Sequence, residues 1–244
     1  MGKFEFRQFS ADDSRSAMKI GTDGVLLGAW APLGAAPRSI LDVGAGCGLV
    51  SLILAQRTDG PDAPGILGIE IDPGAEADAT DNFGLSPWSA RLGARLGDFC
   101  SDTFAPALPH PMAIVSNPPF FDEPLRSPDG RRALARHGEG LTVETLIRRA
   151  DTLLTHPDDT LTFIAPAGRD SEIEYLLFRS RFYPRERCTV LPSPGREPVR
   201  TLWNAVRHPA RCRETILCVR GRDGRLSREY EHLTRPYYLD KTFR

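Results

Sequence analysis

Asn117-Pro118-Pro119-Phe120 brings a side-chain amide, a rigid turn and an aromatic face to one point of a 244-residue chain. The Asn117 carboxamide oxygen can accept a hydrogen bond from an exocyclic amino group. Neither proline has a backbone N–H, and the Pro118 carbonyl is left as a second acceptor. Two acceptors aimed at one NH2, beside a ring on which a planar base could stack for about 1–3 kcal/mol, would hold a planar amine. An Asn-Pro turn capping a strand, with a core Phe behind it, is the plain alternative. The elements before the tetrapeptide must decide between the two.

The apolar run 112–115 predicts a buried strand that delivers Asn117 where a sheet opens into a loop. Upstream, 39–43 predicts a strand, Gly44-Ala45-Gly46-Cys47-Gly48 a glycine turn, and 49–56 a helix packed on the sheet. Glycines there permit positive φ and close ligand approach, and a helix start attracts a carboxylate or phosphate. Cys47 reads as small filler rather than a nucleophile. The next strand, 67–72, carries Glu70, 22 residues after Gly48, where an acid commonly grips the hydroxyls of a ribose. A helix over 75–83 and a strand over 92–96 lead to Asp98. Four successive strand ends thus carry Asp42, Glu70, Asp98 and Asn117, where a doubly wound parallel sheet keeps its ligand crevice.

The flanks predict further pieces. Alternation over 4–9 predicts a strand, with a turn at 11–14, opening a short N-terminal hairpin. Thr22 is placed as the N-cap of a short helix ended by Pro32. The polar stretch 121–140 carries Arg126, Arg131, Arg132 and Arg136, which suit a lid or a substrate contact. A helix from 142, a strand over 160–165 and a helix over 169–180 follow. Strands near 187–191, 201–206 and 215–219, without long helices between them, suggest a parallel sheet that finishes antiparallel. A helix near 227–233 precedes an aromatic tail.

The formal net charge of −1 hides a segregation: residues 1–178 hold 15 Lys and Arg against 25 Asp and Glu, and residues 179–244 hold 16 against 7. A basic C-terminal region can attract a phosphate backbone. Five cysteines form no C-x-x-C pair and the five histidines show no metal-ligand spacing, so neither a disulfide framework nor a metal site is expected. No apolar window is long enough for a membrane span and the N-terminus lacks a signal-peptide core, so a cytoplasmic protein is expected. The length suits one domain: an extension over 1–37, a cofactor-binding and catalytic core over 38–165, and C-terminal strands with a basic tail over 166–244.

Taken together, Asp42-Val43-Gly44-Ala45-Gly46-Cys47-Gly48, Glu70-Ile71-Asp72, Asp98-Phe99 and Asn117-Pro118-Pro119-Phe120 resemble class I S-adenosylmethionine-dependent methyltransferases acting on planar amino groups. The flanks Phe6-Arg7-Gln8-Phe9, residues 18–30 and residues 233–239 resemble the bacterial tRNA (adenine-N6)-methyltransferases that modify the adenosine beside the anticodon of a valine tRNA. The resemblance implies an α/β, Rossmann-like fold. Its sheet would be mostly parallel, doubly wound and seven-stranded, with an antiparallel C-terminal strand and a short N-terminal hairpin. It implies S-adenosyl-L-methionine as cofactor, tRNA as partner, no metal and a monomer. By the same resemblance Thr22, Asp42, Gly44, Gly46, Glu70, Asp98 and Phe99 would hold the cofactor. Asn117, Pro118 and Phe120 would be catalytic, and Arg131, Arg132 and Arg136 would contact substrate. Phe120, usually Tyr in that family, is shared with ribosomal RNA guanine-N2 methyltransferases. Those enzymes, and methyltransferases of a glutamine side chain, are the alternative readings.

Overall fold

The computed structural model describes residues 2–34, 36–120 and 140–243. Two short strands, β1 (Lys3–Glu5) and β2 (Ser10–Asp12), pair antiparallel, and α1 (Thr22–Trp30) follows. The core alternates strand and helix: β3 (Ser39–Val43), α2 (Leu49–Arg57), β4 (Gly65–Glu70), α3 (Pro73–Gly84), β5 (Leu92–Leu96) and β6 (Met112–Ser116). Then come α4 (Val143–Leu153), β7 (Thr160–Pro166), α5 (Asp170–Arg179), β8 (Tyr183–Leu191), β9 (Arg200–Val206), β10 (Arg213–Cys218) and α6 (Arg228–Thr234).

The main sheet runs β10-β8-β9-β7-β6-β3-β4-β5. Among the described strands only β9 is antiparallel to its neighbours; β8 and β10 run with the rest. Among the described residues the sheet has eight strands rather than the seven that the resemblance implied; residues 213–218, at the predicted strand 215–219, pair along β8 at its edge. Strand residues alternate between two cores, as a sheet covered on both faces requires. In β6, Ala113 and Val115 join the core under α1 and α2, while Met112 and Ile114 join the one under α4 and α5.

The N-terminal extension departs from the predicted six-residue strand. The chain turns at 6–9, where the Phe6 N–H donates to the Phe9 carbonyl, and it returns as β2. Phe6 and Phe9, three apart across this turn, stack with ring centroids 4.6 Å apart, and both are buried. Alternation in the sequence hid the turn because burying both rings required the chain to fold between them. The extension is also fastened to α3. Buried Asp78 accepts from the Arg15 and Ser16 N–H groups, the Ser16 hydroxyl and Arg15 Nε at 2.7–2.9 Å, and Asn82 bonds both the N–H and the carbonyl of Asp12. Thr22 is not the N-cap: Gly21 holds that position with extended backbone and no side-chain cap, and Thr22 opens α1 with an exposed side chain.

Candidate active site

Register brings the predicted strand ends into one row. Val43 is opposite both Ser116 of β6 and Ile69 of β4, so Gly44, Asn117 and Glu70 occupy the next level on three neighbouring strands. At roughly 4.8 Å between strands, Glu70 and Asn117 stand about 10 Å apart across the glycine turn. Gly97, which precedes Asp98, continues the row beyond β5: its N–H donates to the Glu70 carbonyl at 2.8 Å.

The glycine turn is held from below and beside. Its Gly44 and Ala45 N–H groups donate to the Ile69 carbonyl at 2.9 and 3.1 Å, and the Gly46 N–H donates to Glu70 Oε2 at 2.8 Å. Glu70 Oε1 accepts from the Ile71 and Asp72 N–H groups, so three of about four acceptor positions on this carboxylate shape the protein. Gly48 sits at φ 82°, and a Cβ there would lie 2.3 Å from Phe83 Cε1. Gly46, at φ 56°, differs: a Cβ there would meet nothing within 4 Å among the described residues. Burial pushes the Cys47 thiol up to about 12, which suits an inert filler.

Asp42, on β3, serves α2 rather than the open crevice. Its Oδ2 accepts from the Ser51 N–H at 3.0 Å and from the Ser51 hydroxyl at 2.7 Å, which caps the first turn from outside the helix, since Gly48 brings no side-chain cap. Its Oδ1 is buried with no hydrogen-bond partner among the described residues. Burial pushes this carboxyl up to about 6, the Ser51 bonds opposing the shift and the nearby Glu70 charge adding to it.

Beyond β5, Asp98 is exposed and accepts from the Cys100 N–H at 2.8 Å, while Phe99 is buried. This loop is braced by the buried Arg149 of α4, which donates to the Phe99 carbonyl at 3.2 Å and the Phe104 carbonyl at 2.7 Å. A capping box of Thr142 and Thr145 starts α4, and Leu141 packs close to Gly44.

Asn117 is the first residue past β6. Its Oδ1 is buried and has no partner among the described residues, whereas Ser116, one residue earlier, donates its hydroxyl to the Val43 carbonyl at 2.8 Å. A buried, unpaired acceptor costs about 1–3 kcal/mol, and it is an opening for a donor. Pro118 is buried and Phe120 half-buried. The Arg200 guanidinium lies over the Phe120 ring, 4.7 Å from its centroid, and its Nε donates to Asp23 Oδ2 at 2.8 Å.

The structure thus gathers Asp42, Gly44, Gly46, Glu70, Asp98, Phe99, Asn117, Pro118 and Phe120 at the carboxyl end of the sheet. Thr22 sits at the same end, beside Asp23. Arg131, Arg132 and Arg136 lie outside the described residues. Sequence reasoning missed Arg200, which is 80 positions from Phe120. It arrives because β9 is antiparallel and begins where its neighbours end, opposite Pro166 and Val190.

No family model matches the chain. Curated relatives do, and over nearly their whole length. A tRNA1(Val) (adenine(37)-N6)-methyltransferase of Bacteroides fragilis is 37% identical over 236 residues, covering 97% of each chain. One from Flavobacterium psychrophilum is 40% identical over 239 residues, covering 97% of this chain and 99% of the relative. This chain belongs to the tRNA1(Val) (adenine(37)-N6)-methyltransferase family.

A member from Tolumonas auensis is 38% identical over 236 residues, covering 97% of this chain and 96% of the relative. Among solved structures, the fold is similar to one described as a predicted O-methyltransferase of Agrobacterium tumefaciens. The TM-score is 0.68 at 20% identity, over 88% of this chain and 96% of that one. It is also similar to geranyl diphosphate C-methyltransferase from Streptomyces coelicolor, with a TM-score of 0.51 at 10% identity over 76% and 78%. At these identities the likeness is one of fold, the Rossmann-like methyltransferase fold that the resemblance implied. No described helix is long and apolar enough to cross a membrane.

Proposed function

We propose that this protein transfers a methyl group from S-adenosyl-L-methionine to N6 of an adenosine in tRNA, the adenosine at position 37 of a valine tRNA. Family membership supports the reading, and the observation that carries it is the buried Asn117 Oδ1 at the carboxyl end of β6, which has no partner among the described residues. The site fits the cofactor: no described residue would meet a Cβ at Gly46, Glu70 keeps acceptor capacity for a ribose hydroxyl, and exposed Asp98 can accept from an adenine amino group.

The cofactor supplies a methyl group on a sulfonium centre. Asn117 Oδ1 and the Pro118 carbonyl would accept the two hydrogens of the target amino group and so fix the orientation of its nitrogen lone pair, normally delocalised into the ring. With the cofactor bound, its methyl group would be available to that nitrogen, and Asn117 Oδ1 and the Pro118 carbonyl would hold the amino group while one of its protons is released to solvent. The two acceptors stabilise the positive charge that grows on nitrogen, so alignment and electrostatics carry the rate. A base inside a stack cannot reach the crevice; an unpaired anticodon-loop adenosine can.

The test supplies labelled cofactor with separate tRNA, ribosomal RNA and protein fractions. Label is expected in tRNA, as N6-methyladenosine after digestion. Label in ribosomal RNA guanine or in protein glutamine would overturn the assignment.

A further inference from the structure

The basic C-terminal region is not uniformly basic in space. Arg187 pairs with Glu174 and Glu214, Arg213 with Glu186, and Arg207 with Asp151. These arginines lie along or beyond the strand bodies, and their charge is neutralised locally. Arg196, Arg222 and Arg225 are exposed and join no ion pair among the described residues. All three sit in two loops, 192–199 after β8 and 219–227 after β10.

Topology places these loops at the catalytic end. Because β8 and β10 run parallel to β6, their carboxyl ends open on the same side as Asn117. The loops are tied together: the Val219 and Arg220 N–H groups donate to the carbonyls of Leu191 and Pro192 at 2.8 and 3.0 Å. Within the second loop the Gly221 N–H meets the Arg225 carbonyl at 2.9 Å, and Arg220 Nη1 meets the Gly224 carbonyl at 2.8 Å. Between them is a recess of about 470 Å³ lined by Ser193, Pro194, Gly195, Arg220, Gly221 and Arg222, with Gly224. Gly195 and Gly224 both sit at φ 79°, and a Cβ at either would meet nothing within 4 Å among the described residues.

We infer that the 192–199 and 219–227 loops form a binding surface for the RNA sugar–phosphate backbone, at the far end of the row that holds the target base. The lining explains the chemistry. It has arginines and small residues that let a backbone approach closely, and no aromatic ring on which a base would stack, so it positions RNA without reading sequence. Acidic Glu197 and Asp223 lie in the same loops, and Asp223 already accepts from the Arg225 N–H at 3.1 Å. Four strand spacings separate β6 from β10, roughly 19 Å, a reach suited to phosphates flanking a flipped-out base rather than to the base itself. Arg200, at the end of the first loop, links this surface to Phe120.

The inference rests on the tRNA reading, and the experiment separates the two. Binding of a labelled anticodon stem–loop is measured from low to high salt for wild type, for Arg196→Gln/Arg222→Gln/Arg225→Gln, and for the control Arg187→Gln/Arg213→Gln, with cofactor affinity and melting temperature alongside. The loop variant is expected to bind RNA at least about tenfold more weakly. The slope of log K against log salt should fall by about 0.7–0.9 for each phosphate that the variant no longer neutralises. KM for tRNA should rise much more than kcat changes, and cofactor affinity and melting temperature should stay put. An unchanged slope in the loop variant, or an equal fall in the control, overturns the surface while leaving the activity intact. A wild-type protein that binds no RNA but binds an acidic peptide through these arginines overturns both readings.

Discussion

Asp159 and Asn117 mark opposite ends of the sheet's centre, and their side chains stand in opposite states. Asp159, just before β7 and fully buried, accepts from the Met112 N–H at 2.7 Å, the His156 N–H at 2.8 Å and His110 Nδ1 at 2.9 Å. Asn117, just after β6, keeps a buried acceptor with nothing to accept from among the described residues. At the amino end Asp159 is fully satisfied by the protein itself, although the hydroxyl of the neighbouring Thr160 is also buried without a partner among the described residues. Asn117 carries its unmet capacity at the open crevice, where on the proposed function the target amino group would fill it.

Substitutions at the two ends should therefore fail in different ways. Asn117→Ala is expected to lower kcat about a thousandfold, about 4 kcal/mol in the barrier, with cofactor affinity within a few-fold and melting temperature unchanged or slightly raised. Single-turnover kinetics and calorimetric titration check this, and a parallel collapse of cofactor binding would contradict the role of Asn117. Asp159→Ala should do the converse. Stranding buried donors should remove about 3 kcal/mol of stability in urea unfolding, with kcat per folded molecule retained at low temperature.

Arg200→Lys tests the junction between the ends of β9 and β6. The charge stays near Asp23, but the planar stack on Phe120 is lost, and a drop of about tenfold in kcat/KM, about 1.4 kcal/mol, is expected with unchanged cofactor affinity. The smallest effect concerns Asp42. Its folded carboxyl titrates at about 6 against 3.8 unperturbed. Between those values the folded state holds the extra proton, so the contribution of this group to stability is full below the lower value and lost as pH rises through the upper one. The melting-temperature difference between Asp42→Asn and wild type should therefore move in favour of the variant from about pH 4 to about pH 6, and a pH-independent difference would contradict it.

What the sequence made legible follows from local rules. The glycine turn, the acids at strand ends and the apolar runs obey spacings of a few residues, and the structure lines Gly44, Glu70 and Asn117 up as those spacings imply. Asp42 sits at its predicted strand end, but its grip on Ser51 in the first turn of α2 is a contact that the spacing did not reveal. Long-range order was not legible. Nothing near Arg200 reveals that β9 inserts antiparallel between β7 and β8, and only that insertion puts its guanidinium on Phe120. The turn between Phe6 and Phe9 was equally hidden, because its cause is a partner far along the chain.

That partner is the aromatic tail. Phe6 stacks on Tyr238 at 5.9 Å, the Arg7 N–H donates to the Tyr237 carbonyl at 2.8 Å, and Gln56 Nε2 donates to the Pro236 carbonyl at 2.9 Å. A ribosome makes Phe6 first and Tyr238 more than two hundred residues later. During that interval α3 and Trp88 can already hold the hairpin, but the face of Phe6 that Tyr238 covers stays open until the tail emerges.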